Sequence, residues 1–185
     1  MRKLVRHLRR FQREDRGAVT VEFLIVFPLL VWAYVAMWVF FDMMRVAASH
    51  QKAAYVISDM LSRETDYITP TYIDNTKSLF DYLMVIDRDN AIRISSIGYD
   101  DDTESYEVVW SQARGDQEAL ETSDIADWDD QLPLLAAGDE LILVETWYRY
   151  HISFSQIDLD DIDLHNFVYT RPRFAAVLKY SETGS

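Results

Sequence analysis

The sequence predicts an α+β chain: a long N-terminal transmembrane and amphipathic helix, followed by a small antiparallel sheet head. Three observations carry this. Residues 23–41, FLIVFPLLVWAYVAMWVFF, contain no charge. Apolar residues then recur at three- and four-residue steps to about Thr65, the period of a helix with one buried face. From Ala91 onward the pattern switches to the two-residue alternation of strands.

Charge divides the 185-residue chain unevenly. Residues 1–17 hold seven Lys/Arg against two acids, and residues 42–185 hold eleven Lys/Arg against 28 Asp/Glu. A head with net charge −17 repels phosphate, so no nucleic-acid partner is expected. There is no cysteine, which excludes disulfides, thiolate catalysis and cysteine-based zinc sites. The boundaries expected are a basic cytoplasmic leader at 1–17, a transmembrane helix at 18–41, an amphipathic extension at 42–66 and an extracytoplasmic α+β domain at 67–185.

At about 1.5 Å per residue, the uncharged run spans roughly 30 Å, the thickness of a bilayer core. Arg2, Lys3, Arg6, Arg9, Arg10, Arg13 and Arg16 precede it, so the positive-inside rule places the N-terminus in the cytoplasm. Trp32, Tyr34 and Trp38 suit the outer interface. The alternatives are a buried helix of a soluble protein and a cleaved secretory signal. The run is long for both, and it ends in Phe40-Phe41-Asp42-Met43 rather than small residues.

Glu22 lies one turn inside the apolar run. A carboxylate there either snorkels to the interface or has a partner. Its neighbours favour the second reading. Arg16-Gly17 is followed by Ala18-Val19-Thr20-Val21-Glu22-Phe23, and Pro28 comes five residues later. This stretch resembles the class III signal of the type IV pilin superfamily. More narrowly it resembles the TadE/TadF-like minor pseudopilins of the tight-adherence (Flp) pilus system. The resemblance covers residues 9–41. It implies cleavage between Gly17 and Ala18 by a membrane aspartyl prepilin peptidase. It also implies assembly through Glu22, Phe23 and Pro28, with the Glu22 carboxylate pairing with the new Ala18 amine of the same or a neighbouring chain. The small Gly17 suits a groove needing close backbone approach, and Pro28 removes one helical hydrogen bond.

Beyond the membrane run, Met43, Ala47, His50, Ala54, Ile57 and Leu61 mark the buried face of the extended helix, with His50 a packed residue. Pro70 ends that helix or lies just past it. Thr71-Tyr72-Ile73-Asp74 opens a second helix, with Ile73, Phe80, Leu83 and Met84 on one face up to about Ile86. Ile92, Ile94, Ile97 and Tyr99, then Tyr106, Val108 and Trp110, read as a hairpin turning at Asp100–Thr103, with a bulge expected at Ser95-Ser96. Residues 112–131 read as an acidic loop or short helix. Residues 140–152 form a long strand and 155–165 a second acidic loop. Phe174, Ala176, Leu178 and Tyr180 form a closing strand.

Two acidic groups, Asp100–Asp102 and Asp158, Asp160, Asp161 and Asp163, lack EF-hand spacing and read as solvated turns. His151 and His165 stand near aspartates, but no nucleophile motif accompanies them. No G-x-G phosphate loop occurs. Trp110, Trp128 and Trp147 are expected in the core. The functional expectation is a non-enzymatic minor pseudopilin without metal or cofactor. Its partners would be a prepilin peptidase, other pseudopilins, pilus-assembly platform proteins and membrane lipid. It would be a single-pass protein of a bacterial inner membrane with a periplasmic C-terminal domain, hetero-oligomeric through its N-terminal helix. The alternative is a signal-anchored periplasmic binding or sensing module.

Overall fold

A computed structural model describes residues 16–84, 90–136, 138–151 and 161–184. The elements are helix α1 (Arg16–Ser62), helix α2 (Pro70–Met84), strands β1 (Asn90–Asp100) and β2 (Ser105–Arg114), a short 3-10 helix (Thr122–Ile125), and strands β3 (Glu140–Tyr150) and β4 (Ile162–Thr170). The chain divides at Met43/Met44 into two units.

The first unit is the apolar part of α1. The helix continues through Pro28. Proline has no N–H, so the carbonyl of Leu24, four residues back, loses its helical donor.

The second unit is an α+β head. Its sheet is antiparallel throughout, in the order β2-β1-β3-β4. α1 enters this unit with Ala53, Ala54, Ile57 and Leu61 buried, one side of the helix at steps of three and four. α1 ends at Ser62, a turn short of the expected Thr65. Pro70 opens α2 rather than closing α1. The Tyr72 N–H donates to the Thr69 hydroxyl at 3.2 Å, so Thr69 caps a helix whose first residue is proline. Ile73, Phe80 and Met84 form its buried side; Ile86 lies outside the described residues.

β1 and β2 form the expected hairpin. Asp100 accepts from the Asp102 N–H at 3.0 Å and from the Thr103 hydroxyl at 2.8 Å. The Thr103 bond foremost holds its carboxyl below the usual range. That carboxylate is committed to capping the turn.

The expected bulge needs correcting. β1 pairs with β3 in one unbroken register from Asn90↔Tyr148 to Gly98↔Glu140. The irregularity lies in β2, where Ser96 faces Trp110 and Ile97 faces Val108, leaving Val109 as the extra residue. The apparent slip in β1 has a different cause. Both faces of the sheet are covered, so Ile92 and Ile94 serve one core and Ile97 and Tyr99 the other.

His50 of α1 stands 5.7 Å from the Phe80 ring and 6.1 Å from the Tyr148 ring, which places the helices on the face carrying Ile142, Val144 and Thr146. The opposite face packs Leu141, Leu143 and Ile97 against Leu120, Ile125, Leu132 and Leu135. Leu120 and Ile125 belong to the segment expected at 112–131 to be an acidic loop or short helix, and with Leu132 and Leu135 just beyond it they form a second core layer. β3 is consequently buried along almost its whole length.

The closing strand expected at 174–180 is also corrected. The fourth strand is β4, whose first residues overlap the expected acidic loop at 155–165; most of that loop lies outside the described residues. Pro172 follows β4 and cannot donate to a ladder. The tail beyond makes only one bridge, Ile68↔Tyr180. It acts as a strap. The Arg173 N–H donates to the Ser62 carbonyl at 2.7 Å, satisfying an orphan acceptor at the end of α1. The Trp110 indole donates to the Leu178 carbonyl at 2.6 Å. After β2, Gly115 adopts φ +102°, and a Cβ there would lie 2.8 Å from the Asn90 carbonyl oxygen. Only glycine fits this turn.

Burial, and secondarily the charge of His165, lowers the His50 pKa from 6.5 to about 4. The folded value lies below the unfolded one, so the head keeps this stability above pH 6.5 and loses it as pH falls toward 4. The full loss is about 3 kcal/mol. His50→Leu should flatten that part of the stability–pH curve, measured by chemical unfolding followed through tryptophan fluorescence. An unchanged slope in the variant would place the acid sensitivity elsewhere.

Candidate functional site: an uncovered apolar helix and a buried carboxylate in the sheet

The apolar run folds as helix because it has no glycine and only one proline between Phe23 and Phe41. Within α1, Val19–Ser62 contains a window of mean hydropathy 2.3 with none of it buried. Phe23, Phe27, Leu30, Trp32 and Tyr34 are each at least half exposed. Among the described residues, one helix is thus long and apolar enough to cross a membrane.

Gly17 and Ala18 stand in the first turn of α1. Glu22 is exposed one turn later. It shares a shallow groove with Val19, Phe23, Val26, Phe27 and Leu30, positions three and four apart on one side of the helix. The Phe23 and Phe27 rings, both lining this groove, stack on each other at 5.1 Å. Among the described residues Glu22 has no ion pair or hydrogen bond. Pro28 lies off this groove. The helix therefore brings Glu22 and Phe23 together and leaves Pro28 as a backbone feature.

A second polar cluster lies in the head. Glu145 of β3 points to the face carrying Leu141 and Leu143 and is 2% exposed. Arg93 of β1, its direct cross-strand neighbour, donates from Nε at 2.7 Å. His165 of β4 approaches from the other side at 3.5 Å. Its ring stacks on Trp147 at 4.8 Å and 11°, while the Arg93 guanidinium lies 5.1 Å from the same indole. Arg93 also donates to the Glu118 carbonyl, tying the second core layer to β1. Burial alone would raise the Glu145 carboxyl. Hydrogen bonds from His165 and Arg93, with the guanidinium charge, outweigh it and hold the carboxyl below its usual range.

This cluster joins three strands by one carboxylate. Sequence reading set His165 beside aspartates; its partner is Glu145. The signal for Glu145 was present: its parity in ELILVETWYRYHI matches Leu141 and Leu143, and a carboxylate on a buried side needs a partner. His151 pairs with Asp161 at 2.9 Å, and Asp163 with Arg149 at 2.8 Å. Both pairs bridge β3 and the approach to β4 and are exposed. Asp158 and Asp160 lie outside the described residues. Among the described residues no three metal-binding side chains converge. Trp110, Trp128 and Trp147 are all partly buried in packing contacts.

Arg93→Met should cost about 3–5 kcal/mol, because it strands a buried charge. Arg93→Met combined with Glu145→Leu should recover most of that loss, since both partners are then apolar. Chemical denaturation of the three proteins checks this. Equal losses in the single and double variants would mean that Arg93 acts through packing alone.

Comparison with protein-family models, with curated proteins and with solved structures returns no match.

Proposed function

We propose that this chain is a minor pseudopilin, a structural subunit in the assembly of a tight-adherence (Flp) pilus, with no catalysis of its own. The observation that carries the reading is the unpaired Glu22 carboxylate set among Val19, Phe23, Val26 and Phe27 on an exposed apolar helix, five residues after Gly17. At the centre of a bilayer a lone charge costs about 2.5–3.5 kcal/mol on insertion scales. Near the interface the cost is smaller, and a cationic partner offsets it.

In this reading the basic leader stays in the cytoplasm and α1 crosses the inner membrane. The acidic head lies in the periplasm. A prepilin peptidase cuts after Gly17, and the new Ala18 amine is the cation that Glu22 meets, in the same chain or in a neighbouring pseudopilin. Phe23 and the apolar stripe below it pack against the neighbouring helix. Pro28 supplies a local opening of the helix ladder. The head serves as a docking body among other pseudopilins and platform proteins.

N-terminal sequencing or intact-mass analysis of the membrane-extracted protein should find a chain beginning at Ala18. Gly17→Arg should leave the precursor uncut, because a long cation cannot enter a groove shaped for no side chain. A mature chain retaining Met1, or one cut after Met43, would instead favour a signal-anchored binding or sensing module.

A further inference from the structure

The two edges of the sheet are built differently. β2 is protected. Val109 bulges out of register, the Val108 N–H donates to the Thr122 hydroxyl at 3.1 Å, and the Trp110 indole is tied to the tail. β4 has none of these devices. Its nine residues, IDLHNFVYT, contain no proline, glycine or lysine, and their register with β3 is unbroken. Among the described residues nothing but β3 hydrogen-bonds its backbone. A regular strand with an open edge is a template for another strand.

Charge along β4 selects the occupant. Acids stand at its start, Asp161 and Asp163, and cations follow its end, Arg171 and Arg173. A parallel copy would set acid against acid. An antiparallel copy centred on Phe167 sets Asp163 against Arg171 at both ends of the pair. In the same register Phe167 faces Phe167, and His165 faces Tyr169. These are aromatic cross-strand pairs on one face of the sheet. Tyr169 is 48% exposed and the His165 side chain 45%. All four terminal charges are also exposed, and each already has a partner on its own chain: His151 for Asp161, Arg149 for Asp163, Asp139 for Arg171 and Asp59 for Arg173. Exposed pairs of this kind exchange partners at little cost.

We propose that the head self-associates through β4: two copies pair antiparallel about Phe167, joining their sheets into one of eight strands. The acidic heads repel at long range, but at physiological salt the Debye length is about 8 Å, which leaves the local opposite-charge pairs to set the register. This goes beyond assembly through α1 and does not depend on it.

The chain has no cysteine, so site-directed crosslinking is clean. Full-length His165→Cys and Tyr169→Cys variants, co-expressed in one membrane and oxidised mildly, should form a covalent dimer. Directly opposed residues lie about 4.5–5.5 Å apart at Cα, within disulfide reach. Neither variant alone should do so, nor should Glu107→Cys on β2. Asp163→Arg or Arg171→Asp, each added to both cysteine variants, should cut the yield several-fold. The two reversals together should restore it, although the pairs to Arg149 and Asp139 within the chain stay broken. A crosslink that appears equally at Glu107, a double reversal that fails to rescue, or capture of a different protein in place of a second copy would each overturn self-pairing through β4.

Discussion

The apolar half of α1 cannot be left in water, and that constraint governs the molecule. Burying each of its large side chains is worth about 1.5–3 kcal/mol, and none of the apolar window is buried among the described residues. The helix is long and apolar enough to cross a membrane. Beyond Met44 the same helix needs only one apolar side, and its composition changes accordingly: Gln51, Lys52 and Asp59 appear among Ala53, Ala54, Ile57 and Leu61. One element thus carries two compositions. Glu22, charged one turn inside the apolar run, stands out against that background.

The head solves a different problem. A four-stranded sheet is small, and helices can cover only one of its faces. The segment between β2 and β3 supplies the second cover, with Leu120, Ile125, Leu132 and Leu135 set among acids that keep its outer side hydrated. β3 pays for its central place by losing access to water on both faces. Glu145 is the buried charge on that strand, and it is balanced by neighbours on both sides. Arg93, Trp147 and His165 make the cost of its burial into a cross-link among β1, β3 and β4.

Legibility followed periodicity. α1, α2, the hairpin and β3 were readable because each buries one regular set of positions. β4 was not, because IDLHNFVYT mixes an acid, a histidine and an asparagine into its alternation, as an edge strand with one partly wet side does. The second core was hidden by its surroundings: Ile125, Trp128, Leu132 and Leu135 step by three and four, but Asp124, Asp127, Asp129, Asp130 and Pro133 lie among them. The bulge was assigned to the wrong strand because a β1 that feeds two cores looks like a strand that slips. Within the candidate sites, Glu22 and Phe23 were legible from their place in the apolar run. Arg93 and Trp147 were not, because their role appears only when β1, β3 and β4 are aligned.

The most direct test of this account is Glu22→Ala in the full-length chain, read by co-purification with neighbouring pseudopilins and by a piliation assay. The account predicts normal insertion and normal protein level, since the helix becomes more apolar, together with loss of co-purification and of pili. Wild-type association and piliation at normal protein level would contradict it, because the carboxylate would then be a bystander at the membrane interface.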